Sequence, residues 1–161
     1  MRSVIKNRRI VEDSWQHLAD DAELPAGPAI VSLARWKRER ETLAAREEPM
    51  GVRLPNTADV AELAGDLPKL AVVALEFPKF ADGRAYSQAR LLRERWRYRG
   101  EIRAVGDVLR DQLFFMARSG FDAFELRADR SLEDALTAFD DFSESYQPAV
   151  DQPQPLYRRL R

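Results

Sequence analysis

The segment Leu70 to Phe77, LAVVALEF, limits what this chain can fold into more than any other stretch. It is almost continuously apolar, is stopped by Pro78, and is far too short to cross a bilayer. A short apolar run without polar alternation predicts a strand buried on both faces, as in parallel sheets. Such a strand needs parallel neighbours joined by crossovers, and the flanking sequence supplies candidates. Gly51 to Leu54 reads as a strand. A helix from Thr57 to Leu67 follows, with Val60, Leu63, Ala64 and Leu67 at helical spacing, Asn56 or Thr57 as N-cap, and Gly65 with Pro68 at its end. After Pro78 a helix is predicted over Ala85 to Tyr98, striped by Ala85, Ala89, Leu92 and Trp96, with Gly100 beyond it. Glu101 to Val105 is a third strand. Asp107 caps a helix from Val108 to about Ser119, closed by Gly120, and Phe121 to Leu126 is a fourth strand. Ser131 and Asp134 resemble a capping box before Leu132, Ala135, Leu136, Phe139 and Phe142.

The fold class expected is therefore α/β, with four βα units forming a mainly parallel sheet. Periodicity does not separate an open doubly wound sheet from half of a (β/α)₈ barrel. One apolar stripe per helix favours helices on one side, the half-barrel-like option. The open edge then needs covering, by the N-terminal segment or by a second copy in a homodimer.

Three segments are expected. Residues 1–49 form an N-terminal hairpin and helix packed on the core, residues 50–145 the βα-repeat core, and residues 146–161 a Pro-rich tail. Val4-Ile5 and Ile10-Val11 flank the polar Lys6-Asn7-Arg8-Arg9, a hairpin pattern. Pro25, Gly27 and Pro28 break the chain, and Ser32 is placed to cap a helix reaching about Arg46. The tail, with Pro148, Pro153 and Pro155, reads as irregular.

Composition excludes several chemistries. None of the 161 residues is cysteine, so disulfides, thiolate nucleophiles and iron–sulfur clusters are ruled out. His17 is the one histidine and reads as structural, so no metal site is expected. None of the seven glycines sits in a dinucleotide or Walker loop. The net charge of −1 gives no general pull toward nucleic acid or anionic membrane. The start lacks the apolar core of a signal peptide, and a cytoplasmic protein is the expectation.

Ligands of parallel sheets bind at the strand carboxyl ends. That directs attention to four stretches: 54–59, 76–84, 106–112 and 125–130. The loop after the central strand gathers Lys79, Asp82, Gly83, Arg84, Tyr86, Ser87 and Gln88. Arg84 and the helix start are suited to an anion, or Asp82 merely turns the chain while Arg84 pairs with an acid. A second cluster holds Arg103, Asp107, Arg110, Asp111 and Gln112. Asp107 and Asp111, four apart, fit acid–base work or structural ion pairs with the arginines. Between Arg84 and Arg110 lie eight arginines and three acids. Arg90, Arg93, Arg97 and Arg99 are expected on the solvent side of their helix, as a solvated face, a surface for a protein partner or, less favoured, a nucleic-acid patch.

The strings FPKFADGRAYSQARLLRERWRYRGEIRAVGD and VLRDQLFFMARSGFDAFEL resemble the signature of the bacterial family called domain of unknown function nine-three-four. Its members are described as probable oxidoreductases involved in sulfite reduction, and are typically encoded beside an assimilatory sulfite reductase. The matched polar positions are Asp82, Gly83, Arg84, Tyr86, Ser87, Arg90, Glu101, Arg103, Asp107, Asp111 and Gln112. The resemblance implies a component of sulfur assimilation and carries no catalytic residues with it. With no redox-active side chain in the chain, the leading expectation is an accessory protein binding sulfite reductase, its anionic substrate or its electron donor. The alternatives are a small oxidoreductase using a borrowed flavin or nicotinamide cofactor, the flavin held by the Asp82–Ser87 loop, and a nucleic-acid-binding module.

Overall fold

A computed structural model describes residues 2–79, 83–127 and 131–140. The expected tail, Phe142 and Asp82 lie outside the described residues. Eight strands form one sheet: β1 (Ser3–Lys6), β2 (Arg9–Glu12), β3 (Gln16–His17), β4 (Ala29–Ser32), β5 (Met50–Leu54), β6 (Val72–Phe77), β7 (Glu101–Gly106) and β8 (Ala123–Phe124). Their spatial order is β2-β1-β8-β7-β6-β5-β4-β3. Strands β3 to β8 pair in parallel and in chain order, whereas β1 runs antiparallel to both β2 and β8.

This mixed sheet corrects the expectation of a mainly parallel one built from four βα units. The hairpin Ser3–Glu12 turns at Asn7 and Arg8, both at positive φ, and covers the β8 edge. Strand β4 lies where no strand was expected. Its four residues AIVS fall between Pro28 and a helix cap, too short a run to register as a period. They are nonetheless almost fully buried between β3 and β5.

The sheet is open and strongly curled into a half-barrel. Chain connectivity demands that curl. In a flat sheet of eight strands the edges would lie roughly 34 Å apart, at about 4.8 Å per strand spacing. Yet Glu12 ends one edge strand and Gln16 begins the other. Four residue steps reach at most roughly 14 Å. Residues Asp13, Ser14 and Trp15 therefore cross the concave side.

Among the described residues the helices lie outside. Helix α1 (Leu33–Arg38) is capped by Ser32, whose hydroxyl accepts from Arg35 N–H, and α2 (Arg40–Ala44) follows after a break at Glu39. The helix expected over 57–67 is instead two 3₁₀ turns, Val60–Leu63 and Leu67–Lys69. Asp59, not Asn56 or Thr57, caps the first, and Pro68 sits in the second. Helix α3 (Arg84–Arg90) widens into a π turn over Leu91–Arg95. A 3₁₀ turn (Arg110–Gln112) leads into α4 (Leu113–Ser119), so Asp107 does not cap a helix as expected. Helix α5 (Leu132–Asp140) begins as the capping pattern requires, with Ser131 Oγ accepting from Asp134 N–H.

The main core lies between sheet and helices. Trp36, Leu54, Leu63, Leu75, Leu92 and Ile102 are among its fully buried members. A line of ring contacts, Tyr86–Phe77–Phe121–Phe124–Phe139, ties α3 and α5 to the strands at centroid distances of 5.3 to 6.5 Å. The concave face holds a smaller cluster of Ile30, Val72, Ala74 and Val105 under Trp15. Side chains converge on the inside of a curled sheet, and Gly51 stands where they crowd. A Cβ there would meet Val72 Cβ at 3.0 Å and Ile30 Cγ1 at 3.1 Å.

Candidate functional site

The concave face is charged at its centre. Strands β5 to β7 are otherwise apolar, but carry Arg53, Glu76, Glu101 and Arg103, all on the face away from the helices, and Glu125 follows β8. Arg103, only 1% exposed, is the hub. Its Nε donates to Glu101 at 2.6 Å, and its Nη1 donates to Asp13 at 3.0 Å and to Glu125 at 2.8 Å. Arg2 closes on Asp13 and Lys6 on Glu101 from the rim. Burial disfavours the Arg103 charge. The surrounding carboxylates, Glu101 foremost, outweigh it and raise its pKa further above the ordinary value. Burial likewise works against the Glu125 carboxylate, but hydrogen bonds from His17 and Arg103, with the Arg103 charge, lower its pKa to about 2.

His17 extends the network to the far edge of the sheet. Its Nε2 lies 2.7 Å from Glu125 Oε2, and its Nδ1 lies 3.0 Å from Arg53 Nη1. A guanidinium can only donate, so Nδ1 accepts and Nε2 carries the proton given to Glu125. Both ring nitrogens are thus occupied within the protein, and His17 offers no lone pair to a metal or a substrate in this arrangement. Among the described residues no group of three His, Asp or Glu is placed to hold a metal ion.

At the carboxyl ends of the strands this face opens into a pocket of about 370 Å³. His17, Arg53, Glu76, Phe77, Pro78, Val105 and Gly106 line it. Gly106 has φ +93°, and a Cβ on it would stand 2.6 Å from the Phe77 carbonyl oxygen. Only glycine lets β7 leave the sheet this close to β6. The Asp107 N–H then donates to that same carbonyl at 2.6 Å.

The residues expected from sequence are not gathered into one site. Arg103 lies inside the half-barrel, away from the outer surface. Asp107 sits in the turn beyond β7, with Arg127 at 3.5 Å, while Asp111 and Gln112 belong to the following 3₁₀ turn. The expected shared helical face of Asp107 and Asp111 is therefore corrected, because no helix spans both. Gly83, at φ +89°, starts α3, and Arg84 and Ser87 are exposed on it. Tyr86 packs edge-on against Phe77, and burial, then the Asp111 charge, raises the pKa of its hydroxyl. Arg53, Glu76, Asp13 and Glu125 were not singled out by spacing. The signal they do carry is a lone charge inside an apolar strand, which must find an opposite charge.

The arginine-rich segment also divides. Arg93 is not on the solvent side. Its Nε donates to Gly120 O, and its Nη1 donates to Tyr98 O and Gly100 O, at 2.8 to 3.0 Å. Arg90, Arg95, Arg97 and Arg99 are exposed. Beside them two large apolar side chains reach solvent, Leu91 at 41% and Phe115 at 60% exposure. Phe115 stands on α4, which packs against α3.

A family model described as "Bacterial protein of unknown function (DUF934)" matches residues 51–157. The chain belongs to this family. The matched DUF934 region starts within β5 and takes in Arg53, Glu76, Arg103, Gly106 and Glu125. It leaves out Asp13 and His17, which complete the network. Comparison with curated proteins and with solved structures found no match. Among the described residues no helix is long and apolar enough to cross a membrane.

Proposed function

We propose that this DUF934 protein is a cytoplasmic accessory component of assimilatory sulfite reduction that docks on the sulfite reductase through the outer face of α3 and α4. The observation that carries the docking is Phe115. It stands 60% exposed beside the helix that carries Leu91 and the exposed Arg90 and Arg95. Single exposed apolar residues are ordinary, but two on adjacent helices among arginines suit a partner with an apolar slot rimmed by acids. Glu94 is the one acid exposed between Arg90 and Arg99. The pathway comes from the family resemblance, and the interior adds to it. The charged network is saturated by its own ion pairs, which suits a binding role better than redox work.

The test uses purified sulfite reductase from the same cell. Immobilised full-length protein is expected to retain it, and Phe115→Ser with Arg90→Glu to weaken retention by about tenfold or more, an effect on the scale of one interface hot spot. The reading fails if the reductase neither binds nor changes its sulfite-dependent rate when the protein is added. Purified protein carrying flavin absorbance would favour the oxidoreductase alternative instead.

A further inference from the structure

Most charges of the concave face are buried and mutually satisfied, but the pair reaching the pocket wall is different. Arg53 Nε lies 3.2 Å from Glu76 Oε2 in an ion pair, with side-chain exposures of 22% and 39%. The two partners are not held equally. Behind Arg53 stands His17, itself fixed by Glu125, which is fixed by Arg103. Among the described residues Glu76 is paired with Arg53, and it lies on the more exposed side of that pair. Ion pairs this exposed contribute little, so Glu76 is easily displaced while the guanidinium stays in place.

The charges around the pocket restrict what can displace it. A carboxylate entering the pocket pairs with the planar Arg53 fork in its preferred geometry. It then leaves Glu76 facing a second negative group at close range, which is unfavourable for a plain anion. A plain cation would take Glu76 and leave Arg53 half-buried without its counter-charge. A ligand carrying both signs on one carbon, one group toward each residue, satisfies both. Phe77, Pro78 and Val105 supply an apolar wall for a short side chain, and Gly106 adds no bulk. A volume of about 370 Å³ is at the small end of ligand pockets.

We propose that this pocket binds a small zwitterion of the α-amino-acid class, its carboxylate on Arg53 and its ammonium on Glu76. The proposal is independent of the docking face. Its test is a thermal-shift screen of the full-length protein against the common L-amino acids one by one, with sulfite and sulfate as anion controls, followed by calorimetry. At least one amino acid is expected to raise Tm, as ligands of the native state do. Its N-acetyl and amide derivatives are expected to lose the effect, and Glu76→Gln to weaken binding about tenfold or more. Glu76 is exposed enough for that variant to keep its fold, which circular dichroism checks. The proposal is overturned if no amino acid shifts Tm, if sulfite or sulfate alone acts as strongly, or if Glu76→Gln leaves the affinity unchanged.

Discussion

Glu125 accepts from two donors on opposite sides of the half-barrel, His17 at 2.7 Å and Arg103 at 2.8 Å. Burial opposes its charge, yet these partners hold its pKa at about 2 against an ordinary value of 4.5. Because the folded value is the lower one, the ionised form stabilises the fold. That contribution is complete above about pH 4.5 and is lost as the pH falls toward 2. A shift of this size corresponds to at most about 3 kcal/mol. Urea unfolding followed from pH 7 to pH 3 is expected to show a falling midpoint, with a shallower acid limb in Glu125→Gln. The neighbouring Arg103 shows why such charges stay inside. With three carboxylates bonded to it, removing Arg103 would leave buried negative charges facing one another without their common partner.

Among the elements, the π turn at Leu91–Arg95 gives an arginine a structural task. It brings Arg93 over the C-terminus of α4 and the start of β7, where three backbone carbonyls accept from it. Cations suit a helix end whose carbonyls lack partners. Arg93→Ala is expected to cost about 2–3 kcal/mol, since hydrogen bonds to a charged group are worth more than neutral ones. Arg90→Ala, three residues earlier and exposed, should change stability by no more than about 0.5 kcal/mol. Chemical denaturation of the two variants separates them. Sequence spacing put both on one solvent face, because a regular 3.6-residue period takes no account of a widened turn.

For the molecule as a whole, the segment crossing the concave face joins the two sheet edges and fills the interior. The hairpin before it caps β8, Asp13 supplies a counter-charge to Arg103, and Trp15 covers the small apolar cluster. A chain beginning at Gln16 loses all three. The bare β8 edge is then open to pairing with another chain. Such a truncation is expected to elute as oligomers or aggregates in size-exclusion chromatography with light scattering, against a defined species for the full chain. Restoring the hairpin alone, with Asp13→Ala, should recover the edge while leaving the protein less stable than wild type.

Local pattern determined much of the architecture. LAVVALEF becomes the central strand with apolar clusters on both of its faces, the Asn7-Arg8 turn closes the expected hairpin, and Ser131 caps α5. Each of these depends on residues a few positions apart, so sequence spacing alone is enough to read them. The candidate site does not. His17, Arg53 and Glu125 are separated by 36 and by 108 positions along their two bonds. They meet only because a three-residue link forces the eight-stranded sheet to curl until its edges approach. That curl turns lone charges in apolar strands into one buried network. It also forms, apart from the Asp107 turn, the concave mouth between Arg53 and Glu76 where we propose a ligand binds.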